Sequence, residues 1–275
     1  MNSKIDPNKI SGLSSTLLIT LWAKAVEYNK PEPIIRDAEA ARLLKLIDYD
    51  FSKFKSASLS QIGCCGRAKL FDQEILKFIH QHPDAVVVQL GAGLDARFER
   101  LGKPQVTAWY DLDLPDVIAL RRELLPESCN HYLADSLFNT SWMETVAIHN
   151  KPVLLILEGV LMYFSKPHVK TFLIKVAKKL PHSTMIFDIV PPFAVGRAKY
   201  HDALKSIDNK ARPEFSWSIE NVNELTTWHP SIKLLAAYQL SEFCQDYYPW
   251  WVRLIYRTNW GKTHFDQRIV VVKLS

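Results

Sequence analysis

The chain has no apolar run long enough to cross a bilayer, and its first residues, Met1-Asn2-Ser3-Lys4-Ile5-Asp6-Pro7, lack the apolar core of a secretory signal. Four cysteines are too few to staple 275 residues, two of them (Cys64 and Cys65) are adjacent, and none stands in a Cys-x-x-Cys pair. That excludes a disulfide framework and a structural zinc site, and no other metal site is expected. No Lys/Arg run concentrates the charge of +5, from 34 basic and 29 acidic residues, so nucleic acid is not an expected partner. Internal repeats and low-complexity tracts are also missing. What these absences leave is a cytoplasmic protein with reduced thiols and no membrane partner, of unspecified oligomeric state. With 48% hydrophobic residues it can bury one large core.

Residues 11 to about 80 read as helices. Leu13, Leu17, Leu18, Leu21 and Trp22 recur at helical spacing, as do Ala40, Leu43, Leu44 and Ile47, with Pro31 and Pro33 between the two sets. A third helix is expected from Gly66 to His80, entered through a tight, flexible Gly63-Cys64-Cys65-Gly66 approach. From there short apolar strands alternate with amphipathic helices. Strands are expected at 85–90, 106–111, 131–134, 152–158 and 184–190, with crossover helices at Leu114–Leu125 and Pro167–Leu180. Trp250–Tyr256 and Arg268–Lys273 read as two final strands in a hairpin. The layout is a helical N-terminal cap over 1–80 and an α/β domain over 81–275, with a lid insertion at 191–230, all one structural unit.

Four polar clusters end successive strands, which is where open α/β sheets bind ligands. Val86-Val87-Val88-Gln89-Leu90 runs into Gly91-Ala92-Gly93, a turn that lets a ligand approach the backbone closely. About twenty residues on, Asp111 and Asp113 end the second strand, both on one side by alternation, and either can accept bonds from two ribose hydroxyls. Asp113 before Leu114-Pro115 also suits a helix cap. Asp135 with Ser136 follows the third strand, where a carboxylate and a backbone N–H can hold an adenine or can cap a helix. Glu158 ends the apolar run Leu155-Ile156-Leu157, a costly place for an unpaired carboxylate unless a cation meets it. S-adenosyl-L-methionine, with its amine, its sulfonium and its adenosine, supplies such a cation. A pyrophosphate ligand fits less well, because the dinucleotide fingerprint needs a third glycine and position 96 is alanine.

The ordered segments Leu90-Gly91-Ala92-Gly93-Leu94-Asp95-Ala96-Arg97, Asp113-Leu114-Pro115, Ala134-Asp135 and Glu158-Gly159-Val160-Leu161-Met162-Tyr163 resemble the leucine carboxyl methyltransferase family. That family includes tetracenomycin-type polyketide O-methyltransferases and enzymes that methylate a phosphatase C-terminus. The similarity extends to Ser11-Gly12-Leu13-Ser14-Ser15-Thr16, to Lys24-Ala25-Val26-Glu27 and to Arg67-Ala68-Lys69-Leu70-Phe71-Asp72. It implies a class I S-adenosylmethionine methyltransferase fold, a Rossmann-like α/β sheet of seven mostly parallel strands with the last antiparallel.

The resemblance also implies residue roles. Arg67 pairs with the methionine carboxylate and Lys24 adds a second basic contact. Gly91, Ala92 and Gly93 border the methionine and ribose, Asp113 holds the ribose hydroxyls, Asp135 with Ser136 holds adenine, and Glu158 lies by the amine and sulfonium. Many bacterial relatives carry arginine at position 24 and leucine at position 136; lysine keeps the charge and loses the bidentate fork.

The expected reaction is O-methylation of a small organic acid or polyketide-like acceptor, at a carboxyl or a hydroxyl oxygen. A protein C-terminal carboxylate is the alternative acceptor, and a non-catalytic S-adenosylmethionine-binding protein the alternative class. A carboxylate is already ionised at neutral pH and needs no general base, whereas a phenol gains from one. Tyr163 and His201 are weak candidates for that role, and no catalytic residue is assigned. Tyr200, Phe215, Trp217 and Trp228 are expected around the acceptor, with Phe243, Tyr247, Tyr248, Trp250 and Trp251 as further possibilities.

Overall fold

The computed structural model describes residues 15–207 and 212–275. Leu13 of the helical pattern, Ser11 to Ser14 of the family resemblance and residues 208–211 of the expected insertion lie outside the described residues. Three helices come first: α1 (Ser15–Tyr28), α2 (Ala38–Leu46) and α3 (Ser58–Gln81). Alternation follows, as β1 (Val86–Leu90), α4 (Arg97–Arg100), β2 (Ala108–Asp113), α5 (Pro115–Leu124), β3 (His131–Ala134), α6 (Ser141–Ala147), β4 (Val153–Leu157), α7 (Lys166–Lys179) and β5 (Ser183–Ile189). The C-terminal part adds α8 (Glu224–Trp228), β6 (Ile232–Gln239), α9 (Leu240–Cys244), α10 (Trp250–Tyr256), α11 (Asn259–Phe265) and β7 (Arg268–Leu274).

The seven strands form one sheet in the order β3-β2-β1-β4-β5-β7-β6. Strands β1 to β5 pair in parallel, while β7 runs antiparallel to both β5 and β6. The chain order reverses between β1 and β4, so their C-terminal ends open a crevice, the usual ligand site of such sheets. The four inner parallel strands, β1, β2, β4 and β5, are largely apolar because helices cover both faces. Val87, Trp109 and Ile156 pack with Leu18, Leu43 and Phe71 of the N-terminal helices, whereas Val86, Val88 and Leu155 pack with Trp142, Phe172 and Trp217. Thus α1 to α3 share one core with the sheet.

Two readings of the sequence need correction. Trp250–Tyr256 is a helix, begun by Pro249, with Val252 turned inward. Its Trp, Ile and Tyr content is strand-like, and an apolar run of seven residues does not distinguish the two states. The partner of β7 is instead Ile232–Gln239, an edge strand whose burial alternates. Gly63-Cys64-Cys65-Gly66 lies inside the 24-residue α3 and is not a loop before it. Packing outweighs the glycines there: Cys65 is fully buried and its thiol donates to the Ala23 carbonyl of α1 at 3.4 Å. No helix among the described residues is long and apolar enough to cross a membrane.

Candidate active site

The turn after β1 is held to β2. Gly91 N–H and Ala92 N–H both donate to the Leu112 carbonyl, at 2.8 and 3.0 Å, and Gly93 N–H donates to Asp113 Oδ2 at 2.7 Å. Gly91 and Gly93 sit at φ of +71° and +53°. A Cβ on either would come within 2.5 Å of a side-chain carbon, Val160 Cγ2 and Leu17 Cδ2 respectively. Only glycine meets both demands without strain. Asp113 Oδ1 accepts from Leu114 N–H at 2.8 Å, and burial raises the Asp113 pKa against the pull of these two N–H groups. Its carboxylate therefore braces the glycine turn at the tip of β2.

Beside this turn lies a buried ion network. Lys24 Nζ of α1 is 2.7 Å from Asp95 Oδ1, and Arg67 of α3 bonds Glu158 Oε1 at 3.1 Å and Asp188 Oδ2 at 2.9 Å. Arg97 reaches Asp72 at 2.9 Å, Asp95 at 3.2 Å and the other oxygen of Glu158. Arg100 joins Asp37, Asp72 and Asp95. Four cations thus face five carboxylates in one connected cluster. Burial alone would push Glu158 up, but Arg97 and Arg67 outweigh it and hold the carboxyl at about 2, below its usual 4.5. Asp95 is likewise held low by Arg100, Arg97 and Lys24 against its burial. Glu158 ends its apolar strand at tolerable cost because two arginines meet it.

A cavity of about 500 Å³ opens from the turn and the network. Of the residues singled out in the sequence, Lys24, Arg67, Gly91, Ala92, Gly93, Glu158, Tyr163 and His201 line it. Asp113, Asp135 and Ser136 are not among its walls; they stand at the tips of β2 and β3 beyond them. Asp135 accepts from Ser136 N–H at 2.8 Å, from Asn139 Nδ2 at 2.5 Å and from the Ser141 hydroxyl.

Two residues do not reach the site. Asp111 is fully buried, where it accepts from Trp109 Nε1, Arg121 Nη2 and Asn130 Nδ2 at 3.1, 3.1 and 2.7 Å. Alternation gave its side but not the arginine that closes over it, and its role is to tie α5 to the sheet. Trp217 packs between Phe187 and Trp228 in the core on the other face of the sheet, out of reach of the cavity. Trp228 shares that core.

The far half of the cavity is aromatic. Tyr163 stacks on Phe215 at 5.8 Å between ring centres, and His201 meets Phe215 edge-on at 5.7 Å. Tyr248, just before α10, and Trp251, in its first turn, complete this half together with Phe193, Tyr200 and Phe265. Phe243, Tyr247 and Trp250 do not line it. Burial pushes Tyr163 up to about 12, so it remains a phenol donor across the physiological range. Burial also lowers the His201 pKa, which leaves a neutral imidazole at pH 7; its Nδ1 is 3.4 Å from Ser60 Oγ.

Sequence reasoning missed Asp188, Gln89 and the part that Arg97 and Arg100 take in the network. Asp188 had a signal, since it closes β5 as Glu158 closes β4. Gln89, on the cavity wall, donates to Asp95 Oδ2 at 3.1 Å while its own Oε1 is buried without a partner. A spare acceptor oxygen beside a cluster with one carboxylate in excess suits a cationic ligand bearing N–H donors.

Comparison with known proteins identifies relatives of this chain. The family model of leucine carboxyl methyltransferase matches residues 17–177. The tetracenomycin polyketide synthesis O-methyltransferase TcmP of Streptomyces glaucescens is 34% identical over 88% of this chain and 88% of its own. An S-adenosyl-L-methionine-dependent methyltransferase of Gibberella zeae, dpfgK, is 26% identical over 84% of each chain. Among solved structures, a DUF574 family protein of Streptomyces avermitilis superposes with a TM-score of 0.55 at 11% identity, over 91% of this chain and 96% of that one, a likeness of fold.

Proposed function

This chain belongs to the leucine carboxyl methyltransferase family, and we propose that it methylates a carboxyl or hydroxyl oxygen of a small organic acid or polyketide-like acceptor. It is an S-adenosyl-L-methionine-dependent O-methyltransferase; the acceptor class and the residue roles below are the proposal. The observation that carries it is the continuity of one cavity from the ion network at the strand tips to the aromatic half lined by Phe193, Tyr200 and Phe215.

At the charged end, Arg67 and Lys24 would take the methionine carboxylate, exchanging part of their present pairing for it. Glu158 and the free Gln89 oxygen would take the amine. The Gly91-Ala92-Gly93 backbone would border the methionine and ribose, with Asp113 at the hydroxyls and Asp135 and Ser136 at the adenine edge. When bound, the cofactor supplies an electrophilic methyl group on a positively charged sulfur. The protein's share is then to align an acceptor oxygen with that methyl group and to keep water out. Phe215 and Tyr163 form a flat wall for an aromatic acceptor, and residues 191–204 act as the lid. A carboxylate acceptor arrives ionised and needs no proton removed.

The test is calorimetric titration with S-adenosylmethionine, S-adenosylhomocysteine and NADH, followed by a methyl-label screen against organic acids and phenols. Binding of the two adenosyl compounds without NADH, and label on an oxygen, is the expected result. Binding of NADH alone would overturn the reading.

A further inference from the structure

The two ends of the cavity differ in how their cations are matched. At the inner end Lys24 and Arg67 both meet carboxylates. At the outer end Arg197 lines the cavity with no carboxylate paired to it among the described residues. Its guanidinium carbon lies 4.7 Å from the centre of the Phe193 ring, and Nη1 donates to the Phe193 carbonyl at 3.0 Å. Lys199, two residues on and not among the cavity walls, stands over Tyr200 at 5.0 Å, and among the described residues it too has no carboxylate partner.

The two described acids of this segment nearest to Arg197 in sequence, Glu214 and Asp202, are committed elsewhere. Glu214 accepts from the backbone N–H groups of Ala198 and Phe215, at 2.9 and 3.2 Å. Asp202 accepts from Leu59 N–H and Ser60 N–H, both at 3.1 Å. An arginine stacked on a ring keeps its in-plane N–H edge for an anion, and the fork fits a carboxylate or sulfonate. The ring beneath is itself positioned, since Phe193 packs on Phe265 at 4.8 Å and Phe265 also lines the cavity.

We propose that Arg197, seated on Phe193, forms an anion subsite at the cavity mouth, which selects flat aromatic acceptors bearing an acidic group at the end remote from the methylated oxygen. This rests on the methyltransferase reading for the word acceptor, but not for the subsite itself. The aromatic walls hold the ring system, the inner end receives the reacting oxygen, and Arg197 fixes the far end. One fixed anionic end thus sets how deeply the ring system enters.

Two fluorescent probes of similar shape test it on the full chain: anilinonaphthalene sulfonate, which is anionic, and N-phenylnaphthylamine, which is neutral. Arg197→Ala is expected to weaken the sulfonate about tenfold and the neutral probe less than twofold, with Arg197→Lys in between. Equal weakening of both probes would reduce Arg197 to a packing residue and overturn the proposal. So would unchanged sulfonate affinity, or no sulfonate binding by the unaltered chain. Calorimetry with S-adenosylhomocysteine on the same proteins separates the two levels. Loss of that binding in the unaltered chain refutes the methyltransferase reading, while the probe ratio still decides the subsite.

Discussion

Replacing Glu158 by glutamine removes one carboxylate from the centre of the ion network with almost no change in shape. Glu158 is held at about 2 against an unfolded value near 4.5, by Arg97 and Arg67 acting against its burial. A displacement of roughly 2.5 units corresponds to about 3 kcal/mol of stability at pH 7, since each unit is worth about 1.4 kcal/mol. The sign follows from the direction. A carboxyl with a lowered folded pKa stabilises fully above 4.5 and loses that contribution as the pH falls toward about 2. By pH 3.5 the contribution has fallen to about 2 kcal/mol. Because Glu158 is almost wholly buried, screening by solvent removes little of it. Urea denaturation of the wild type and of Glu158→Gln at pH 7 and at pH 3.5 reads the effect directly. The gap between the two proteins should be about 3 kcal/mol at the higher pH and narrow by about a third at the lower. A gap under about 0.5 kcal/mol at pH 7, or one that widens in acid, would refute the account of the network as a charge cluster centred on this residue.

Two smaller predictions follow from local geometry. Gly93→Ala places a side chain at φ +53° and presses on Leu17, so it should cost about 1–2 kcal/mol in denaturation and weaken S-adenosylhomocysteine in calorimetry. Full retention of both would mean that the turn adapts freely. Asp202→Ala removes the acceptor for the first N–H groups of α3 and should cost about 1 kcal/mol, whereas Asp202→Asn should keep most of it. An asparagine variant no better than alanine would assign the effect to charge and not to capping.

How much of this was legible beforehand depended on whether the determining contacts were near in sequence. Strands β1, β2, β4 and β5 announced themselves as largely apolar runs, because helices cover both their faces. Strand β6 did not, since Ile232–Gln239 buries only alternate residues at the sheet edge. Gly91 and Gly93 were visible as a turn, and their positive φ values confirm why no other residue serves there. Glu158 was visible as an anomaly, a carboxylate closing an apolar strand. Its answer was hidden, because Arg67 and Arg97 approach from 91 and 61 residues away. Arg121 stands only ten positions beyond Asp111, yet its reach back from α5 to that carboxylate is a tertiary pairing that strand alternation does not show.

The clasp of Asp202 on α3 has a consequence for how the molecule can open. By its own residues α3 starts uncapped, as Ala57 offers no side-chain acceptor, and the missing group is borrowed from a loop 143 residues downstream. The same helix carries Arg67 in its middle and delivers the chain to β1 at its end. Any outward swing of that loop therefore exposes the helix start to water and strips its electrostatic brace, while the far end stays anchored in the sheet. The cavity-lining loop at Asp202 and the start of the helix that carries Arg67 are thus joined through a single borrowed carboxylate.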